Sequence, residues 1–556
     1  MDTQRLIAFV VFSFSILMLW EAWQDYQHPK AGPESAQTSP ALTGVPVRAE
    51  GPVALPVPGA EVQPAAAPRA GEAQQGARAV LRTDVLTAVI DAHGGDIRRL
   101  TLSGYRQNDD KTKPFELFEE RSGRNYFAQS GFIGEGWPTH KTVFELESGE
   151  HALQPGQDEI KLTLRATVNG LAVAKTYTFR RGSYVVDVDY SLTNQGGAVM
   201  TGYPYYQLLR HGQAPEGESS FVHTFTGPAF YTEAGKYQKV GFEDITKGKQ
   251  EHAKTAKDGW VGMAQHHFVS AWMTRDPADA SNREFYSRAL GNGEFTAGMI
   301  TAGVQLAPGE SKTAAMRLYA GPQKQEELKT LAPGLEHVVD YGWLTVLAYP
   351  LFVLLSWLHK LVDNWGVAII LLTVLIKAAF YPLSAASYKS MAQMRKLAPR
   401  LQQLKERYGD DRQKLHEAMM KIYQEEKINP LGGCLPMLVQ IPFFIALYWV
   451  LLSAVELRQA PFALWITDLS EKDPYYILPV VMAVTMFIQT RLSPPSPDPV
   501  QQKVMMFMPL AFSVFFFFFP AGLVLYWLVN NVLSILQQWR INTVIARADG
   551  KPAKSK

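Results

Sequence analysis

Trp365-Gly-Val-Ala-Ile-Ile-Leu-Leu-Thr373-Val-Leu-Ile-Lys377-Ala-Ala-Phe-Tyr381 is apolar from end to end except for one threonine and one lysine. A helix crosses a bilayer with about 20 mostly apolar residues, or about 17 at the short limit, so this stretch predicts a membrane span. It has company. Trp343–Trp357, Cys434–Leu452, Tyr475–Ile488, Val504–Phe519 and Gly522–Leu536 are of the same texture. The 556-residue average conceals this, because 54 basic residues balance 52 acidic ones and the apolar residues are clumped. That balance gives no global reason to expect nucleic-acid binding. The single cysteine, Cys434, excludes an intramolecular disulfide framework and a cysteine-based zinc cluster.

Working outward, the N-terminus carries Arg5, the apolar run Leu6–Trp20 and then Trp23 and Tyr26. Such a stretch also opens a secretory signal, but no small-x-small cleavage site follows and the aromatics suit a membrane interface. The reading is an uncleaved anchor over 1–27 with its N-terminus inside. Residues 28–79, with nine prolines and no periodicity, read as a disordered tether. Short alternating runs then appear between turn residues: Val85–Ile90 before His93-Gly-Gly-Asp96, Lys161–Val168 before Asn169-Gly170, Lys175–Phe179 before Arg181-Gly182, and Tyr184–Tyr190. They predict a large β-sandwich over 80–320, outside the cytoplasm.

Charge sets the topology of the remainder. Ten Lys/Arg fall between Leu383 and Pro430, and positive residues mark cytoplasmic loops. With the N-terminus inside and the sandwich outside, one crossing is needed between Trp343 and Tyr381, not two. Residues 321–360 are therefore expected to be a linker and an amphipathic helix lying at the outer interface. Six spans result: the anchor, then 361–382, 431–452, 475–491, 504–520 and 521–540. Between them lie a basic helical hairpin (383–430), an external loop (453–474) and a cytoplasmic loop (492–503). A basic tail (541–556) remains inside. The fold class is a helical polytopic bundle, with a five-span core, plus the external sandwich.

Most enzymatic motifs fail. Gly235-Lys236 lacks the glycine and hydroxyl residue of a phosphate loop, and His416-Glu417 lacks the second histidine of a zinc protease. His266-His267 in an aromatic run reads as structural. The hairpin is more informative: Met391, Met394, Leu397, Leu401 and Leu404 form an amphipathic stripe, and Asp410-Asp411 start a second helix. Its basic face, with Arg395, Lys396, Arg400, Lys405 and Arg407, is either a solvated positive-inside loop or a surface for emerging polypeptides, lipid headgroups or ribosomal RNA.

A lysine near a helix end can snorkel to the interface, which is one account of Lys377. Against it, Thr373 lies one turn earlier on the same face. Polar residues of other spans also fall toward the cytoplasmic half: Gln440, Gln489, Asn530, Asn531 and Ser534. Polar groups in hydrocarbon are costly and face an interior or a wet cavity, so their convergence predicts a hydrated groove closed on the outer side.

At these residues the chain resembles the YidC/Oxa/Alb family of membrane protein insertases, most closely its six-span bacterial branch. Carrying the resemblance are Asp340-Tyr-Gly-Trp343, Asn364-Trp-Gly366, Tyr381-Pro-Leu383, Met391–Arg395, Gly409-Asp-Asp411, Asn429–Cys434, Val455–Trp465, Asp473–Pro479 and Gly522–Tyr526. The resemblance implies an inner-membrane insertase and chaperone without cofactor, and a periplasmic β-supersandwich related in fold to galactose mutarotase domains. It also implies a cytoplasm-open groove with a positive residue, usually arginine and here Lys377. Thr373 matches a groove threonine, and Tyr526 and Trp527 match aromatic substrate contacts. Implied partners are nascent membrane proteins, the Sec translocon, the ribosome or targeting machinery, and lipids. The rival functions are a small-solute transporter or channel and a carbohydrate-binding periplasmic domain.

Overall fold

The computed structural model describes residues 77–215, 224–276, 279–408, 411–426, 435–492, 506–508, 511 and 513–548. The expected anchor, nearly all of the tether, Gly409-Asp410, Asn429–Cys434, nearly all of the 492–503 loop and the end of the tail lie outside the described residues, as do the side chains of Met391, Met394, Arg395, Lys396 and Lys405. The chain divides into two compact units between Val339 and Asp340.

Alternating apolar residues put one face of each strand in a core, and the first unit is two facing sheets built that way. In the eleven-stranded sheet, Met200–His211 pairs antiparallel with Arg124–Ile133 on one side and Glu294–Ile300 on the other. The eight-stranded sheet runs Lys236–Lys239, Gly227–Thr232, Trp260–Gln265, Phe268–Met273, Ser311–Pro322, Val185–Asn194, Leu171–Arg180 and Glu159–Val168. Between the sheets lie Tyr126, Tyr206 and Trp272, all buried; the Trp272 indole donates to the Gln207 carbonyl at 3.0 Å, while Trp260, on the other face of its sheet, donates to the Pro333 carbonyl at 3.1 Å. The turns are as the sequence indicates. Asn169 (φ 48°) and Gly170 (φ 80°) join Glu159–Val168 to Leu171–Arg180, the two positive φ values that a tight hairpin requires. Gly94 (φ 78°) passes so near the chain that a Cβ there would lie 2.2 Å from the His140 carbonyl oxygen. His266 and His267 form the turn between Trp260–Gln265 and Phe268–Met273, with rings stacked at 3.7 Å, which is a structural use.

The second unit is helical. α1 (Thr345–Val362) continues a 3-10 turn at Gly342–Leu344. It buries Ala348, Leu351, Phe352, Leu355 and Leu358, while Trp343, Val346 (88 % exposed), Trp357 and Leu361 stand free on the other side. α2 (Trp365–Ala379) meets α3 (Tyr381–Tyr408) across a 62° bend. Pro382 accounts for the break: it has no N–H to continue the ladder and its ring collides with the carbonyl of the preceding turn. α4 (Arg412–Glu425) starts at Asp411, whose carboxylate accepts from Lys414 N at 3.1 Å. Leu397 and Leu401 on α3 pack against Met419, Ile422 and Tyr423 on α4, so the expected antiparallel hairpin forms around its apolar stripe. α5 (Leu435–Ser453), α6 (Ile477–Leu492) and α7 (Ala521–Ala548) complete the unit.

Among the described residues, Gly342–Val362 is the one helix long and apolar enough to cross a membrane alone, and α2 with the start of α3 passes as a bent pair; Val439–Ser453 and Ile477–Leu492 are apolar but shorter. The helix expected to lie along the surface is thus the one that reaches crossing length, because the apolar run continues through Leu358 and Leu361 to Val362.

Candidate functional site

The end of α2 is fixed before its polar residues are reached. Asn364 caps the helix, its side chain accepting from Val367 N at 3.0 Å and donating to the Phe462 carbonyl at 2.9 Å. Such a cap satisfies one of the orphan N–H groups of the first turn. Gly366 leaves room for the Phe462 ring, which would lie 2.1 Å from a Cβ. His359 stacks on Trp365 at 4.0 Å. The loop 453–474 is anchored by Asp473, a buried carboxylate that accepts from Trp465 Nε1 (3.0 Å), Tyr475 N (3.0 Å) and Leu478 N (2.7 Å). It is also stapled to the start of α7, where Ala521 N donates to the Glu471 carbonyl (2.7 Å) and Gly522 N to that of Leu469 (2.9 Å).

In the third turn of α2, Thr373 is buried and its hydroxyl donates to the Ile369 carbonyl at 2.7 Å. One turn on, Lys377 is only 6 % exposed. Its Nζ donates to Ser534 Oγ on α7 at 2.7 Å, and the Ser534 hydroxyl donates in turn to the Asn530 carbonyl at 2.8 Å. Asn531 donates to Thr485 Oγ1 on α6 at 2.9 Å. Two turns further, Gln538 donates to the Leu492 carbonyl at 3.0 Å. Both α6–α7 contacts join residues 46 apart, so the two helices run parallel and in register. Asn530, Ser534 and Gln538 recur every four residues, which places them along one side of α7.

Of the residues singled out from sequence, Lys377 and Asn530 meet through Ser534, and Thr373 and Asn531 are buried beside their own partners. Gln440 and Gln489 are half-buried on α5 and α6. Tyr526 is buried with its ring 5.5 Å from Phe444. Trp527 lies against Phe516 (4.8 Å) and Phe519 (5.4 Å). On the hairpin, Arg400 pairs with Glu426 at 2.7 Å, and Arg407 stands 5.7 Å over the Tyr408 ring. Sequence reasoning passed over Thr485, Gln538 and Tyr388, whose hydroxyl is 3.5 Å from the Ser534 carbonyl. A signal existed for two of them: Thr485 is one turn before Gln489 and Gln538 one turn after Ser534.

The family model of the YidC periplasmic domain matches residues 78–354, and that of the 60Kd inner membrane protein matches 357–548. A membrane protein insertase YidC of Thiobacillus denitrificans is 56 % identical over 100 % of both chains. That of Methylobacillus flagellatus is 54 % identical over 99 % of each. Among solved structures, an active YidC insertase with its first transmembrane domain resolved is 18 % identical, covering 82 % of this chain and 91 % of its own, with a TM-score of 0.37. A galactose mutarotase related enzyme from Lactobacillus acidophilus is 12 % identical over 44 % of this chain and 97 % of its own, with a TM-score of 0.29. Full-length identity above one half, with both units matched in order, settles the matter: the chain belongs to the YidC family of membrane protein insertases, a family of inner-membrane insertases and not of enzymes.

Proposed function

We propose that the chain inserts nascent proteins into the inner membrane through a groove lined by Thr373, Lys377, Gln440, Gln489, Tyr526, Trp527, Asn530 and Asn531 and open to the cytoplasm. The observation that carries this reading is the Lys377 ammonium, buried within the helical unit against the polar side of α7. A desolvated cation of this kind is costly, and a charge kept at that cost marks a functional site. It draws in the short polar, acidic end of a substrate, whose apolar segment then passes the aromatic side chains around Trp527 into lipid. Transfer of apolar surface out of water, worth about 25 cal/mol per Å², drives the process. The groove shortens the path of the polar part across hydrocarbon and so lowers the barrier.

The chain spans the membrane six times in this reading, with both termini cytoplasmic and Trp343–His359 at the outer interface, because the basic hairpin demands a cytoplasmic side. α1 supports that placement by exposing one apolar side and burying the other. The basic hairpin, with Arg395, Lys396, Arg400, Lys405 and Arg407, meets emerging chains, lipid headgroups or the ribosome, and the chain acts alone or with the Sec translocon. The test is insertion by reconstituted proteoliposomes together with photocrosslinking from Thr373 and Trp527. Lys377→Arg retains insertion of acidic-tailed substrates and Lys377→Ala impairs it. Normal insertion by Lys377→Ala, or no crosslink from either site, defeats the reading.

A further inference from the structure

Lys377 and Ser534 are 157 residues apart in the chain and 2.7 Å apart in the structure. We infer that Ser534 is the positioning residue for the intramembrane cation, holding the Lys377 ammonium against α7 where an acidic segment of an incoming chain meets it. The inference rests on the proposed role of Lys377.

Three observations carry it. Lys377 stands in the last turn of α2, from which a free lysine stem reaches the interface by snorkelling, yet it is turned inward and buried. Among the described residues it has no acidic partner within ion-pair distance, and the contact that holds it is the serine hydroxyl. That hydroxyl gives its own hydrogen to the Asn530 carbonyl at 2.8 Å, which leaves only lone pairs to face the ammonium. Ser534 is therefore fixed as an acceptor. It holds the cation without neutralising it, and a carboxylate at the same place would compete with the substrate. An ammonium has three donors, so two stay free for a ligand once Ser534 has taken one.

The experiment measures insertion of two substrates that differ only in an acidic or neutral terminal tail, in the same proteoliposomes. The ratio of the two is the readout, and a general loss of packing does not move it. Lys377→Ala collapses the ratio. Ser534→Ala lowers it about tenfold, as loss of a hydrogen bond to a charged group allows. Ser534→Thr, which keeps the hydroxyl, restores it, and Lys377→Ala with Ser534→Ala is no lower than Lys377→Ala alone. If Lys377→Ala collapses the ratio while Ser534→Ala preserves it, the positioning role is overturned and the function of Lys377 stands. If Lys377→Ala leaves the ratio intact, both are overturned. If Ser534→Thr fails as Ser534→Ala does, the hydroxyl is not what positions the lysine.

Discussion

Acid should loosen the β unit, through two histidines. His140 and His252 are each about 7 % exposed. His140 Nδ1 shares a 2.6 Å hydrogen bond with the Tyr205 hydroxyl. The His252 ring lies flat on Phe230 at 4.1 Å, with Nδ1 2.9 Å from the Ala253 carbonyl and Nε2 3.1 Å from Ser287 Oγ and 3.2 Å from Lys254 Nζ. Burial, reinforced for His140 by Lys141, Arg98 and Lys175 and for His252 by Lys254, pushes both pKa values down from 6.5 to about 4. The unfolded chain then takes up protons below pH 6.5, and the folded one does not until about pH 4. Stability is full above 6.5 and falls as the pH drops through that window. At 1.36 kcal/mol per pH unit of separation, each histidine removes about 1.4 kcal/mol at pH 5.5 and about 2.5 kcal/mol at pH 4.5. Asp96, whose burial raises its pKa, acts in the opposite direction, so the wild-type slope alone is not diagnostic. The assay is hydrogen exchange of the full chain in detergent, corrected for intrinsic rates and followed in peptides from Met200–His211 and Arg283–Gly291. Between about pH 8 and about pH 5.5, wild type should lose about 3 kcal/mol more protection than His140→Gln with His252→Gln. Equal slopes in the two proteins refute the reasoning.

Two further outcomes concern the joints of the helical unit. Asp473→Ala leaves an indole and two backbone N–H groups without their acceptor, and a thermal melt in detergent should show a loss of about 3–5 kcal/mol; less than about 1 kcal/mol contradicts the carboxylate's anchoring role. Gly366→Ala drives a methyl into the Phe462 ring and should cost about 1–3 kcal/mol in the same melt. Adding Phe462→Leu should recover much of that, and no recovery shows that the strain lies elsewhere.

The sandwich was legible because its signals are local. Asn169-Gly170 demands a tight turn, and alternation such as Lys161–Val168 assigns a face to each side chain whatever lies opposite. The hairpin was legible for the same reason, since Leu397 and Leu401 share a stripe with a 3.6-residue period. Lys377 stood out because a charge in an apolar run is conspicuous. Ser534 drew less attention and Thr485 none, since hydroxyl residues cost an apolar helix little and leave its hydropathy nearly unchanged. Their importance comes from register between helices, Lys377 against 534 and Asn531 against 485, and no pattern within one helix encodes that. The end of α1 is less legible for another reason. His359 and Lys360 interrupt the apolar run near the expected end of the helix at His359, although Leu361 and Val362 continue it, and Asp363 (φ 48°) is where it stops.

The two polar rungs between α6 and α7 act as a key in a keyway. Apolar helices in lipid slide past one another by a turn at little cost, since one set of van der Waals contacts replaces another. Here a slide separates Asn531 from Thr485 and Gln538 from the Leu492 carbonyl together, much as a buried asparagine fixes the register of a coiled coil. Axial travel is thereby blocked. Tilt remains available, pivoting where backbone bonds hold the first residues of α7 to the loop at Leu469 and Glu471. Widening of the proposed groove would therefore be a tilt about that loop end and not a slide.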